Sequence, residues 1–334
     1  MLKYIIKRIL LAILILLGVS IIIYVTIRML PNDFIDSKFA SQLAQGTVNQ
    51  DQIDHIKELY GLDDNSFAGI VKGYGNWLGN MLKGDFGTSF KYDGMPVGKV
   101  IFDNMWVSFA ISFVAMVFEF AIAIPLGVYA ATHQYGKVDY LVTILVIMGI
   151  SLPAFFFASM LIKFFAVDLQ WFPSQGLVDT TINWDGNGIG KFFNQIWHLI
   201  LPIFTVVVLG VGSTMRYMRT NMLEVLNSDY IRTARAKGLS EGTVVYKHAF
   251  KNAMIPVVTM LAGILPSLFS GAMITETVFS IPGIGMLAYQ ATLAGDIPFV
   301  MGYNMFISVL TVIGILCSDL MYALVDPRVK LGRS

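Results

Sequence analysis

DYIRTARAKGLSEGTVVYKHAFKNAMIP, residues 229–256, is a polar, basic stretch set between two long apolar ones. Its middle reads as one helix stopping and another starting. Gly238 suits the left-handed residue that closes a helix, with Leu239 placed to fold back on the last turn. Ser240 then stands as the N-cap, Glu241 lies in the first turn, and Lys247 and Lys251 come toward the last. That order suits the helix dipole. The second helix is expected over residues 241–252, before Pro256 restricts the backbone ahead of it. A helix this short is marginal alone in water and needs a surface to lie on. The expected surface is another protein.

The helix before the stop has its own pattern. Met222, Leu226, Tyr230 and Ala234 recur at i, i+4 with Val225 beside them, which predicts one apolar face. Arg232 and Arg235 line an adjacent face. Ala234, Ala236 and Gly238 are small enough for another backbone to come close. A solvated basic loop would explain the arginines, but not the stop, cap and restart.

The surrounding chain of 334 residues is 56% hydrophobic, with 13% charged residues and a mean hydropathy of +0.68. A soluble domain carries about 25% charged residues. The apolar residues come in runs of roughly 20, the length that crosses a bilayer. Six spans are expected, at about 9–29, 105–131, 140–165, 199–215, 254–275 and 301–325. The first is too long for a signal-peptide core and reads as an anchor. The single Cys317 lies inside an apolar run and reads as a packing residue, and the net charge of +1 points away from nucleic acid.

Basic residues in short loops orient the spans. Arg216, Arg219, Arg232, Arg235, Lys237, Lys247 and Lys251 crowd the connection between spans four and five, while residues 276–300 contain no Lys or Arg. The amino end is basic and the tail adds Arg328, Lys330 and Arg333. Both termini and the 229–256 stretch are therefore expected in the cytoplasm. The chain divides into an anchor helix (1–30), an extracytoplasmic loop with amphipathic helices (31–104), a membrane core (105–325) with a cytoplasmic loop (216–253), and a tail (326–334). Within 31–104 the pattern predicts a short helix over 51–60, stopped by Gly61. A second follows, with Phe67, Ile70, Val71, Tyr74, Trp77, Leu78, Met81 and Leu82 at helical spacing. Its Trp and Tyr suit a lipid–water boundary or the lid of a cavity. Residues 166–197, rich in Gly, Asn and Asp, read as an exposed connection.

Enzyme chemistry is not apparent. Gly188-Ile189-Gly190-Lys191 lacks the spacing that wraps phosphates, and Gly73, Gly75 and Gly79 follow no buried strand. His55, His133, His198 and His248 form no close ligand pair, and there is no nucleophile elbow. Charges inside the spans stand out, since each costs a few kcal/mol at the bilayer centre. Glu119 and Asp319 are candidates for a solute pathway, with satisfaction by a neighbouring helix as the structural alternative, and Lys163 can reach the interface. Pro125, Pro153 and Pro266, with Gly127, Gly149 and Gly263, can bend spans or let backbones approach.

At these residues the chain resembles the membrane subunit of an ATP-binding cassette importer of the oligopeptide/dipeptide permease family. DYIRTARAKGLS (229–240) and HAFKNAMIPVVT (248–259) are similar to its cytoplasmic coupling loop. Ala234 and Gly238 match the general importer pattern, while Arg232 and Thr233 depart from it in the manner of the peptide branch. KGDFGTSF (83–90), LPAFFFASMLIKFF (152–165), WFPSQG (171–176), WHLILP (197–202), ETVFSIPGIGMLAYQATLAGDIPFVMG (276–302) and DPRV (326–329) extend the likeness over nearly the whole chain. LPNDF (30–34) looks like the start of the first of the family's two membrane subunits, with Asn32 and Phe34 departing from the usual turn.

The resemblance implies an all-α integral membrane protein with six transmembrane helices, the type I importer permease fold, and both termini cytoplasmic. It implies a second homologous permease subunit, two ATPase subunits that use ATP and Mg, and an external peptide-binding protein, with no cofactor on this chain. The expected ATPase-docking loop comprises Arg232, Ala234, Arg235, Ala236, Gly238, Leu239, Ser240 and Glu241, with Val244, Val245, Tyr246, His248 and Phe250 as contact candidates. Nickel chelates or glutathione are alternative solutes within the family. An ion-coupled secondary transporter is the rival class, but no internal repeat is visible and only Glu119 lies near a midplane.

Overall fold

The computed structural model describes residues 2–29, 39–40, 43–44, 49–59, 64, 66–92 and 94–325. The LPNDF turn, the Gly61 stop and the 326–334 tail lie outside the described residues. In order, the helices are α1 (Leu2–Arg28), α2 (Gln50–Leu59), α3 (Phe67–Leu82), α4 (Val97–Thr132), α5 (Lys137–Ser151) and α6 (Ala154–Leu161). A π-helical segment (Ile162–Asp168) and α7 (Gly188–Leu226) follow. Then come α8 (Asp229–Ala236), a second π-helical segment (Thr243–Ala249), α9 (Phe250–Gly263), α10 (Leu265–Ser270), α11 (Met273–Val278), α12 (Ile284–Leu293) and α13 (Ile297–Val325). Among the described residues the only extended pairing is an isolated bridge between Thr88 and Pro96.

Among the described residues, four helical stretches are long and apolar enough to cross a membrane: Ile6–Arg28, Val97–Thr132, Gly188–Leu226 and Ile297–Asp319. The other two expected spans are broken. Within 140–165, α5 ends at Ser151 and Pro153 precedes α6 with φ −59° and ψ 134°. A proline here removes an amide donor and pushes the residue before it out of the helical region. Within 254–275, the chain forms α9, α10 and the start of α11, with Gly271 at φ +79° between the last two. A Cβ on Gly271 would lie 2.6 Å from the Gly285 nitrogen and 2.7 Å from Glu276 Oε1, so only glycine fits that bend. Pro256 does not end the restarted helix. It lies inside α9, and helical backbone continues from Glu241 to Gly263.

The chain forms two compact units, residues 1–103 with 287–312, and residues 104–286 with 313–334. In the first, Tyr24 and Ile27 of α1 pack with Trp77 of α3 and with Ile297 and Met301 of α13. Trp77 is therefore a core residue and not a boundary anchor: its ring centroid lies 6.0 Å from Tyr24 and 6.2 Å from Tyr74. The Tyr74 hydroxyl meets Ser20 Oγ at 2.8 Å, which holds α3 against α1.

A buried carboxylate ties the 83–96 loop to the start of α13. Asp296 accepts from Ser89 Oγ, from the Lys91 amide at 3.1 Å and from the Phe299 amide at 3.2 Å. Lys91 Nζ donates to Gln290 Oε1 at 2.9 Å, and the Tyr92 hydroxyl donates to the Leu287 carbonyl at 2.9 Å. Burial, with the Asp296 charge added, pushes the Tyr92 phenol up to about 12.

In the second unit α7 is the central element. Its helix starts at Gly188, where Asn187 Oδ1 accepts from the Gly190 amide at 2.9 Å, so the connection expected over 166–197 ends about ten residues early. Gly212 of α7 allows close approach to Val146 of α5, and Gly149 of α5 lies against the Val208 carbonyl. Gly127 of α4 faces the Met215 carbonyl and Met218 Cβ of α7, where a new Cβ would lie 2.8 Å from each. Gly263, by contrast, has open space beside it.

Gly127→Val is expected to push α4 from α7 and cost about 1–3 kcal/mol, an overpacking penalty, read as a lower unfolding temperature in detergent. An unchanged temperature would reject the close approach. For Tyr92, a raised folded-state pKa means its stabilisation is complete below about pH 10 and is lost as pH rises toward about 12. Stability measured across that window should fall in the native chain and fall less in Tyr92→Phe. Equal slopes would refute the assignment.

Candidate functional site

The stop and restart at Gly238 form as the sequence predicts. Gly238 has φ +75°, and its amide donates to the Arg235 carbonyl at 2.9 Å. The Val244 amide donates to the Ser240 carbonyl at 3.0 Å, so Ser240 occupies the N-cap position. Its hydroxyl meets Thr243 Oγ1 at 2.9 Å and not a backbone amide. Arg235 and Glu241 bridge the turn through Nη2–Oε1 at 2.6 Å and Nε–Oε2 at 3.2 Å. The Arg235 hydrogen bond holds the Glu241 carboxyl below its ordinary range.

The restarted helix turns π-helical over Thr243–Ala249. The Phe250 amide reaches the Val245 carbonyl five residues back, which widens the turn and resets which residues face inward. Val244, Val245 and Ala249 point into a core shared with Ile231 and Ala234 of α8, Met218 and Met222 of α7, and Val128 and Ala131 of α4. Burying side chains such as Ile231 and Val244 stabilises the pair by about 1.5–3 kcal/mol each. This apolar contact supports helices too short to stand alone.

Several sequence-predicted residues move as a result. Val244 and Val245, expected as contacts for a partner, lie in the chain's own core, and Phe250 packs against its edge. Tyr246 is 68% exposed and His248 half-buried. Leu239, expected to fold back on the last turn, is exposed. The apolar face running from Met222 to Ala234 is interrupted, because α7 ends at Leu226 and α8 restarts at Asp229. The break shifts the inward register by one residue, so Ile231 is buried and Tyr230 is exposed. Arg232, Arg235 and Ala236 face out and Ala234 faces in. Arg232 pairs with Asp229 at 3.5 Å.

The charges in the expected spans have protein neighbours. Glu119 of α4 is half-buried against α7, where Thr214 Oγ1 donates to it and the absent side chain of Gly210 makes room for it. This geometry matches the reading of a carboxylate satisfied by a neighbouring helix. Asp319 is half-buried on α13. Lys163 pairs with Asp168 in the first π-helical segment.

Two further polar sites are invisible to motif reading. Arg219 of α7 grips Asp139 of α5 with Nε–Oδ1 and Nη2–Oδ2 both at 3.0 Å, and Asp139 Oδ2 also accepts from the Tyr135 amide at 3.1 Å. An acidic residue in the first turn of α5 was the available signal. Glu276 is fully buried and accepts from Ser108 Oγ at 2.7 Å and from the Ala272 and Met286 amides at 3.0 Å. Gly271, Gly283 and Gly285 surround it, and a Cβ on any of them would collide with the carboxylate. The scattered WFPSQG, WHLILP and ETVFSIPG stretches also meet here. His198 Nδ1 donates to the Gly176 carbonyl at 3.0 Å, the Gly176 amide donates to the Phe279 carbonyl at 2.8 Å, and the Phe172 and Trp197 rings lie 4.7 Å apart.

Residues 123–331 match the binding-protein-dependent transport system inner membrane component, and residues 1–112 match the N-terminal part of such membrane components. The chain belongs to this family. The permease is 38% identical to the oligopeptide transport system permease protein AppB of Bacillus subtilis strain 168, over 99% of this chain and 100% of that one. It is 32% identical to the oligopeptide transport system permease protein OppB of Haemophilus influenzae, with the same coverage. Among solved structures, the MetNI methionine ABC transporter, determined in inward-facing conformations, matches with a TM-score of 0.52 at 20% identity. That match covers 68% of the permease and 96% of the MetNI chain, and it supports the fold. The permease is thus an all-helical, multi-pass membrane protein of the importer type.

Arg219→Ala leaves a buried Asp139 charge without its guanidinium and is expected to destabilise the permease by about 3–5 kcal/mol. The Asp139→Ala/Arg219→Ala double variant should cost less than the two single changes summed, by about 1–3 kcal/mol in a double-mutant cycle. Strict additivity would mean that the pair does not couple α5 to α7.

Proposed function

We propose that the permease is the first of two homologous membrane subunits of an ATP-driven importer of short peptides. The observation that carries this reading is the two-sided stretch around Gly238. Its inward edge is fixed in the chain's own core, and its outward edge of Tyr246, Lys247, Leu239 and Lys237 is left for a partner. Full-length likeness to oligopeptide permease proteins supports the substrate class.

In this reading both termini and the 216–253 loop are cytoplasmic, and the membrane core over 105–325 completes six spans, two of them in broken pieces. Residues 1–30 would be the anchor helix, 31–104 the extracytoplasmic loop with amphipathic helices, and 326–334 the cytoplasmic tail. The setting is a bacterial inner membrane. Two ATPase subunits hydrolyse ATP with Mg, a peptide-binding protein delivers the solute, and the permease itself performs no catalysis.

The mechanics follow from backbone continuity. Helical backbone runs from Glu241 to Gly263, so a push on its exposed start is carried into the membrane without an intervening loop. At the other end α8 is joined to α7 by only Asn227 and Ser228. Closure of the ATPase subunits on ATP would move both helices together across the Arg235–Glu241 bridge. A ligand shifts such an equilibrium only through contacts that differ between the two states. The outward residues of this stretch are the ones placed to make them. Glu119 and Asp319 remain the proposed polar positions on the solute's way.

Uptake by the reconstituted complex is the direct test, with ATP and with an ion gradient supplied separately. ATP-dependent peptide uptake is expected, and gradient-driven uptake without ATPase subunits would overturn the reading. Gly238→Val should strain the φ +75° turn by about 1 kcal/mol or more, leaving the protein in the membrane while ATP hydrolysis runs without uptake. Normal uptake by this variant would reject the turn as a coupling element.

A further inference from the structure

The break in the fifth expected span is built into the fold. Helix α9 stops at Gly263, α10 covers only Leu265–Ser270, and the chain then bends at Gly271. Pro266 has no amide to give the carbonyl of residue 262, the donor that an unbroken helix would supply there. Gly263 and Ser267 are exposed, and open space lies beside Gly263. The bend is pinned by the buried Glu276 carboxylate, which accepts from the Ala272 amide at 3.0 Å and from Ser108 Oγ of α4 at 2.7 Å. Ser108 in turn accepts from the Ile284 amide at 2.8 Å.

That pin sets one face of α4 against the break. Phe109, next to Ser108, stacks on Phe269 of α10 with ring centroids 4.8 Å apart. Trp106 meets the same Phe269 edge-on at 5.9 Å, and Phe113 stacks on Phe109 at 5.5 Å. Trp106 is 48% exposed and Phe113 43%, so the four rings form an open wall and not a closed core. All of these residues belong to the 104–286 unit. Residues 104–118 and 252–275 contain no Lys, Arg, Asp or Glu.

We propose that this aromatic wall and the broken backbone beside it are a contact site for the transported peptide. An apolar or aromatic side chain of the peptide lies on the Phe109–Phe269 stack, and its backbone amides turn to Ser267 Oγ and to the carbonyls at the break. The inference rests on the peptide-import reading above and adds a selectivity to it. The membrane subunit itself favours peptides that carry a bulky apolar residue.

Three features select this occupant. Irregular backbone at membrane depth persists only inside protein or beside water, because hydrocarbon offers its carbonyls no donor, so lipid does not suit the break. A neighbouring membrane helix uses its amides internally, whereas an extended peptide brings free N–H groups. Ser267 Oγ donates to the Ile264 carbonyl at 2.7 Å and keeps lone pairs that can accept one of them. The absence of charge from both segments suits an uncharged side chain, and stacked rings gain further from another ring laid offset or edge-on.

The test compares uptake of trialanine and of alanyl-phenylalanyl-alanine by the complete complex in vesicles, with its own peptide-binding protein and ATP. Phe269→Ala is expected to lower the ratio of phenylalanine-peptide to trialanine uptake by about two- to tenfold, the scale of one aromatic contact, and Phe269→Tyr to preserve it. The binding protein is the same throughout, so its own preference cancels. Gly263→Leu projects into open space, which the fold tolerates, and is expected to slow uptake of both peptides by at least about tenfold with all subunits still co-purifying. Native uptake with ratio and rates unchanged in every variant would put the wall against lipid and overturn the site, leaving the importer reading intact. Loss of the second membrane subunit from the purified Phe269→Ala or Gly263→Leu complex would assign the wall to the subunit interface and refute the site. Absence of ATP-dependent uptake of either peptide by the native complex would overturn the importer reading, and the site with it.

Discussion

The close approach of neighbouring backbones to α7 is the constraint on which the 104–286 unit depends. Gly127, Gly149 and Gly212 remove side chains at the contacts, so α4 and α5 settle against α7 at distances that larger residues would forbid. Lipid supplies no hydrophobic drive for helices to associate, and packing of this kind must supply it instead. Polar contacts then fix the register: Thr214 on Glu119 for α4, and the two-pronged Arg219–Asp139 pair for α5. The helix that carries these contacts ends one short turn before the Gly238 stretch.

That proximity makes the polar loop part of the packed unit. The loop's apolar edge closes on Met218 and Met222 of α7 and Val128 of α4, so it is part of the same packed body and not a tether. A packed interior resists continuous deformation and tends to switch between discrete arrangements. In the proposed coupling role, displacement of the exposed edge would be passed on to α7 and α9 together, since both pack in the same core.

Buried carboxylates organise the remaining irregular backbone. Asp296 gathers the amides of Lys91 and Phe299 with the hydroxyl of Ser89, and Glu276 gathers those of Ala272 and Met286 with the hydroxyl of Ser108. Each gives hydrogen-bond partners to amides in a turn or in the first turn of a helix, which no intrahelical carbonyl serves. The glycines in GIG and before the 272–278 turn are there because the Glu276 side chain occupies the space their own would need.

The amino-acid sequence alone determined that the chain is helical and apolar enough to cross a membrane, that a helix stops at Gly238 and restarts after Ser240, and that the whole chain resembles one permease family. These properties are local: periodicity, composition, and the φ that only glycine takes freely. It also named Glu119 and Gly127 as positions of interest. The tertiary structure alone decided that Val244 and Val245 face inward while Tyr246 faces out, because a π-helical turn changes the angle per residue and nothing in the local pattern announces it. It decided that Trp77 packs on Tyr24, that Pro153 separates two helices while Pro256 lies within one, and that Asp139 finds Arg219 across 80 residues of chain. Such outcomes depend on which surfaces meet, and spacing along one helix carries no information about its neighbour.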